Sequence, residues 1–198
     1  LMLGNNVDNE RNALLYSVDD TAQVFNGDDS GKIYLGDNTD LTCGCNIFSQ
    51  LAQNLYNITV VFKEKEMWTV VPAASGGWQR NKISETIGCN CPKTLKTATI
   101  PPVTEDKSGN RNIAIWMHSS MGVFISDGRH PVLVSRDIED YFDQNKPFHI
   151  NLATAQNAAA WVDQGKLEYQ LETDNAEWVR DIKKWKWFFV SRGVAVQC

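Results

Sequence analysis

The sequence predicts an all-β protein built from repeated antiparallel hairpins. Three observations carry this. Short runs rich in β-branched and aromatic residues recur along the chain. Clusters of Gly, Asn, Asp, Ser and Pro separate them. Sustained helical periodicity is scarce.

Leu14 to Val18 reads as a first strand, closed by Asp19-Asp20. The turn-rich Asn26 to Gly31 leads into a second, Lys32 to Gly36. Asn57 to Phe62 and Met67 to Val71 form a hairpin with Lys63-Glu64-Lys65-Glu66 as a charged tip, ended by Pro72 and Gly76-Gly77. Ile113 to Met117 and Val123 to Ser126 make the clearest hairpin, followed by the turn signal Asp127-Gly128 and the strand Val132 to Val134. Lys166 to Leu171, Glu177 to Arg180 and Trp185 to Val190 complete the series. One to three short helices are expected: Arg136 to Phe142 with Ser135 as N-cap, Ile47 to Leu55 from its apolar side, and the Ala-rich Leu152 to Ala160, where a nearby strand could override the propensity. Val194 to Cys198 reads as a strand cut short and Leu1 to Asn6 as internal chain. Residues 1–198 are therefore expected to be a fragment of a longer polypeptide.

Trp68, Trp116 and Trp178 each sit in a strand beside a hairpin turn, at intervals near the ~40–50 residue period of propeller blades. The expected architecture is a partial antiparallel β-propeller, with blade material over about 10–72, 80–135 and 150–198. A sandwich with scattered Trp residues is the rival.

Composition narrows the function. Hydrophobic residues at 42% and charged residues at 22% suit a globular chain rather than a disordered one. The net charge of −5 argues against a reader of nucleic-acid phosphates. Lys183, Lys184 and Lys186 lie near Glu177 and Asp181 and read as a solvated strand face. No apolar run approaches the ~20 residues that span a bilayer, so no membrane insertion is expected. The 5 cysteines are odd in number and sparse, which fits a reducing compartment.

Cys43-Gly44-Cys45 and Cys89-Asn90-Cys91 are the one constellation that could carry chemistry. Four thiolates can hold zinc, but the one-residue spacing is tighter than a zinc knuckle. Buried free thiols are preferred; a disulfide between the pairs and a metal site remain open. His118, His130 and His149 have no metal spacing. His118 with Ser119 and Ser120 lacks the Gly-x-Ser-x-Gly elbow. Asp137, Glu139, Asp140 and Asp143 lack the calcium-loop pattern and read as a solvated helix face. The sequon Asn57-Ile58-Thr59 lies inside an apolar strand, and Gly76-Gly77-Trp78 lacks a phosphate-loop context. No catalytic, cofactor or metal residue is assigned, and the chain is not expected to be an enzyme.

The order of these segments resembles the β-propeller hub or nozzle proteins of short-tailed bacteriophage tails. The resembling segments are Leu15-Tyr16-Ser17 with Val24-Phe25; Val60 to Glu64 with Met67 to Val70; and Ile87-Gly88-Cys89 with Pro92-Lys93. Gly122-Val123-Phe124, Asp127-Gly128, Val134-Ser135 and Ile138 follow, then Glu168-Tyr169, Glu177 to Asp181 and Trp187. A complete propeller would need more blades than about 200 residues supply. The resemblance implies a structural virion protein, assembled in the host cytoplasm. It would form a homo-oligomeric ring that extends the DNA channel below the portal. Its neighbours would be a portal or adaptor protein and tail fibre or needle proteins, with DNA passing unbound. A carbohydrate- or receptor-binding β-domain of a tail tip or adhesin is the alternative.

Overall fold

The computed structural model describes residues 2–4, 9–51, 54–74, 76–100, 111–182, 184 and 186–190. The expected strand at Val194 to Cys198, and Lys183 and Trp185, lie outside them. The chain is mostly β, in four antiparallel sheets taken in chain order. The first holds β1 (Met2–Gly4), β2 (Ala13–Tyr16) and β3 (Gly31–Tyr34). The second holds β4 (Leu41–Leu51), β5 (Asn54–Lys63), β6 (Met67–Pro72) and β7 (Trp78–Ser84). The third holds β8 (Lys96–Ile100), β9 (Arg111–His118), β10 (Gly122–Ser126) and β11 (Val132–Leu133). The fourth holds β12 (Ala159–Asp163), β13 (Glu168–Glu172), β14 (Glu177–Asp181) and β15 (Lys186–Phe189). Each of the last three is a plain meander, every strand pairing with its neighbour in sequence.

Strand alternation explains how the sheets stack. Successive residues face opposite sides, so one strand can feed two cores. Val61, Trp68 and Val70 pack with Leu14 and Ile33 of the first sheet and with Leu35 just after it. Val60, Phe62 and Met67 point the other way, onto Ala114, Trp116 and Phe124 of the third. Ile113, Ile115, Met117 and Val123 then meet Ala160, Tyr169 and Leu171 of the fourth. The second and third sheets are thus covered on both faces, which is why Val60 to Phe62 and Ile113 to Met117 are continuously apolar.

The stretch 10–72 contains β2 to β6, strands of two different sheets. The stretch 80–135 contains the third sheet with the end of β7, and the fourth begins at Ala159. Trp68 and Trp178 lie in the third strands of their sheets, whereas Trp116 lies in the second of its own. The tryptophans therefore do not mark one repeated position; the meander itself is the repeat, its first strands starting roughly 60 residues apart.

Two helix expectations are corrected. Residues 47–51 and 54–55 are strand, in β4 and β5, with Ile47 opposite Ile58. Ile47 is fully buried while Phe48 is 45% exposed, the two-residue period of a strand. Leu152 to Ala160 keeps a single 3-10 turn, Ala155–Asn157, before β12 takes over. Ala158 and Ala160 bury against the third sheet, and that burial overrides helix propensity. Arg136–Phe142 is helical as expected, but as 3-10 turns kinked at Ile138. Ser135 does not cap it; its Oγ accepts a hydrogen bond from Val123 N at 2.9 Å. No helix among the described residues is long and apolar enough to cross a membrane.

Candidate functional site

The loops at one end of the four sheets enclose a polar cavity of about 810 Å³. Asp37 and Asp40 reach it from the β3–β4 loop, Lys63 and Glu66 from the β5–β6 turn, and Glu85 and Asn90 from the segment after β7. Ser119 and Gln156 come from the third sheet and the connection to the fourth.

Lys63 is the residue that sequence reasoning missed. The charged tip is corrected here, because Lys63 is 1% exposed. It follows Val61 on the face of β5 turned toward the first sheet, and its ammonium donates to Asp37 O at 2.7 Å and Asp37 Oδ1 at 2.8 Å. Glu66 Oε2 lies 3.7 Å away. Glu66 also accepts from Trp68 Nε1 and from Lys82 Nζ, each at 2.8 Å. The hydrogen bond from Lys63 pulls the Asp37 carboxyl down to about 2. Every charge at the floor has an opposite partner in reach, so the arrangement clasps the β3–β4 loop to the β5–β6 turn. A buried Lys after an apolar strand, with acidic residues following at Glu64 and Glu66, is the only signal the sequence offered.

The cysteine pairs separate into two cores. Cys43 and Cys45 share one face of β4, as alternation requires, and pack toward Cys89 between the second and third sheets. Gly44 between them is constrained, since a Cβ there would lie 2.9 Å from Val60 O. Cys89 is anchored by its backbone N–H to Lys63 O at 2.9 Å. Gly88 before it passes so close that a Cβ would meet Lys63 O at 2.2 Å. Gly88 O in turn accepts from Trp116 Nε1 at 2.9 Å. Cys91 belongs to the core between the third and fourth sheets, and Pro92 opens the 3-10 turn Pro92–Thr94 that follows.

All four are free thiols. Among the described residues, no group of three or more His, Cys, Asp and Glu is placed to hold a metal ion. The hydrogen bond between the Cys43 and Cys89 thiols lowers the first and raises the second, burial adding to the rise. Burial pushes Cys45 and Cys91 up to about 12. With their pKa values raised, Cys45, Cys89 and Cys91 are thiols rather than nucleophilic thiolates at neutral pH. Cys43 and Cys45 are both half-buried, but only Cys43 has its pKa lowered, so iodoacetamide should label Cys43 before Cys45, Cys89 or Cys91 in the folded protein. Peptide mapping would check this, and faster labelling of Cys91 than Cys43 would contradict the placement.

The other candidates stay apart. His118 ends β9, 7% exposed, with Nδ1 3.3 Å from Ser120 Oγ, and burial lowers its pKa. His130 lies in the turn after β10, and His149 Nδ1 is 2.6 Å from Lys146 O. The acidic group is spread over local partners: Asp137 is 3.8 Å from Arg180, Asp140 is 3.2 Å from Lys146, and Asp143 accepts from Asn145. Asn57 stands exposed on β5, and Thr59 Oγ1 donates to Asn46 Oδ1. Gly76 and Gly77, with φ of +86° and +77°, form the turn between β6 and β7.

The fold and cavity together define a class: an all-β protein of face-stacked antiparallel meanders with a clasped polar mouth. No family model matches this chain, and no curated protein matches it.

Proposed function

We propose that the meanders are blades of a β-propeller and that the protein is a structural subunit of a phage tail nozzle or hub. The observation that carries this reading is the stacking order. Each meander covers the face of the one before it, the packing expected of consecutive blades. The ordered resemblance from Leu15 to Gly193 supports the tail assignment. In this reading the chain has no active site or cofactor, and it acts in the virion after assembly in the host cytoplasm. Copies form a ring below the portal, docking on an adaptor above and on needle or fibre proteins below. A net charge of −5 suits a wall that passes DNA without holding its phosphates.

One feature favours the sugar- or receptor-binding alternative. On the outward face of the fourth sheet, half-buried Trp161 sits beside Gln170, with Asp163 and Glu168 in the next row. Cryo-EM of the purified full protein separates the two readings. A ring around an axial channel is the expected result. A stable monomer that binds glycan would overturn the nozzle reading.

A further inference from the structure

Among the described residues, no strand pairs with the outer edge of the fourth sheet. β15 ends its sheet, and its residues Phe188 and Phe189, on opposite faces, are each 51% exposed. The corresponding strands of the other meanders are blunted in the usual ways. β7 carries Arg80 and Lys82, and β11 is two residues long after Pro131. β15 reads Lys-Trp-Phe-Phe, with its one charge at the start.

Its backbone has a definite orientation. Val190 N donates to Glu177 O at 2.9 Å, and the register places Val179 opposite Phe188. In an antiparallel ladder hydrogen-bonded and non-hydrogen-bonded pairs alternate. Phe188 therefore turns its N–H and C=O toward β14, while Trp187 and Phe189 turn theirs to the open edge. Trp187 is already fixed, its Nε1 donating to Val134 O at 2.8 Å and its ring 5.4 Å from the Arg180 guanidinium. Phe189 packs 5.2 Å from Trp178 and 6.0 Å from Phe148.

We propose that β15 pairs antiparallel with β15 of a second copy about a two-fold axis through Phe188, joining two fourth sheets into one. A two-fold perpendicular to the sheet keeps inward faces together, so only residues of the same parity can meet. Trp187 then faces the partner's Phe189 in a hydrogen-bonded pair, twice by symmetry, and Phe188 faces the partner's Phe188 in a non-hydrogen-bonded pair. The edge groups are thus satisfied, and aromatic residues oppose aromatic ones on both faces, a favourable cross-strand arrangement. Charge agrees with this register. Lys186 enters the row that runs through Val190, Glu177 and Glu172 of the other copy, so a basic end meets an acidic row. Such a contact closes on two copies, whereas a larger ring needs a separate head-to-tail contact. The inference stands apart from the nozzle reading.

The test is a disulfide trap in the full protein. In a non-hydrogen-bonded pair the Cα atoms are about 4.5 Å apart, within the ~4.4–6.8 Å that a disulfide spans. F188C treated with copper phenanthroline, which passes two electrons from each thiol pair to dissolved oxygen, should form a covalent dimer mapped to the 188–188 peptide. Wild type and V132C, altered at a site 56% exposed elsewhere, should not. F188K, which opposes like charges at the axis, should raise the dimer dissociation constant at least tenfold by light scattering. Absence of the 188–188 peptide, or unchanged self-association of folded F188K, would overturn the inference. A ring without that peptide would sink this contact and leave the nozzle reading standing; the peptide without a ring would do the reverse.

Discussion

Trp116→Ala should destabilise the protein by about 3–5 kcal/mol, the usual cost of truncating a fully buried Trp. Trp116 is 0% exposed and sits in the core between the second and third sheets. Its ring lies 4.7 Å from Phe62 of β5 and 5.9 Å from Phe124 of β10. Alanine there removes contacts from both sheets at once, and the neighbours are strand residues that cannot collapse into the space without breaking register. The indole also donates to Gly88 O, so truncation leaves a buried carbonyl unpaired. Trp116→Phe keeps a ring between Phe62 and Phe124 but loses that donor, and should fall between wild type and alanine. Urea unfolding followed by tryptophan fluorescence and far-UV circular dichroism would measure both. A loss under about 1 kcal/mol for the alanine variant would show that this residue does not join the two sheets.

The sequence made some of this arrangement legible and hid the rest for physical reasons. Asn57 to Phe62 and Ile113 to Met117 were readable as strands because a β-branched run between turn residues has few alternatives. Their two-sided burial was readable in principle, since every residue from Ile113 to Met117 is apolar. Ile47 to Leu55 misled because Ile47, Phe48, Leu51 and Leu55 suit a helical side as well as a strand. What decides the matter is pairing with β5, a contact the local pattern does not contain. Ser135 has the composition of a cap, yet its hydroxyl is used by Val123 N on a different element. The tryptophan spacing suggested a repeat that belongs to the meanders, because Trp116 lies in a different strand of its sheet from Trp68 and Trp178. In the sequence the four cysteines look like one group; alternation in β4 and the 3-10 turn after Cys91 divide them between two cores. The cavity was not readable, because its walls come from loops of all four sheets.

The clasp at Lys63 yields the second large effect, and it carries a pH signature. Lys63→Met should cost about 2–3 kcal/mol, less than the ~3–5 typical when one member of a buried pair is removed. The discount has a structural reason. The Asp37 side chain is 69% exposed and can regain water, and Glu66 keeps Lys82 and Trp68 as partners. What remains unpaired is chiefly the Asp37 carbonyl, and what loosens is the β3–β4 loop. Asp37 titrates near 2 in the folded protein, against an ordinary 3.8, because of the hydrogen bond from Lys63. A depressed folded-state pKa means that the unfolded chain binds the proton first. The stabilisation is therefore complete above about pH 4 and is lost as pH falls toward about 2. In Lys63→Met the largest cause of the depression is gone while the hydrogen bonds from Thr39 remain, so the acid limb of stability should be shallower over that window although the variant is weaker at neutral pH. Urea midpoints measured for both proteins from pH 6 downward would test this. Parallel acid limbs would show that Asp37 does not owe its acidity to Lys63. A neutral-pH loss below about 1 kcal/mol would show that the buried ammonium does not fasten the mouth of the cavity.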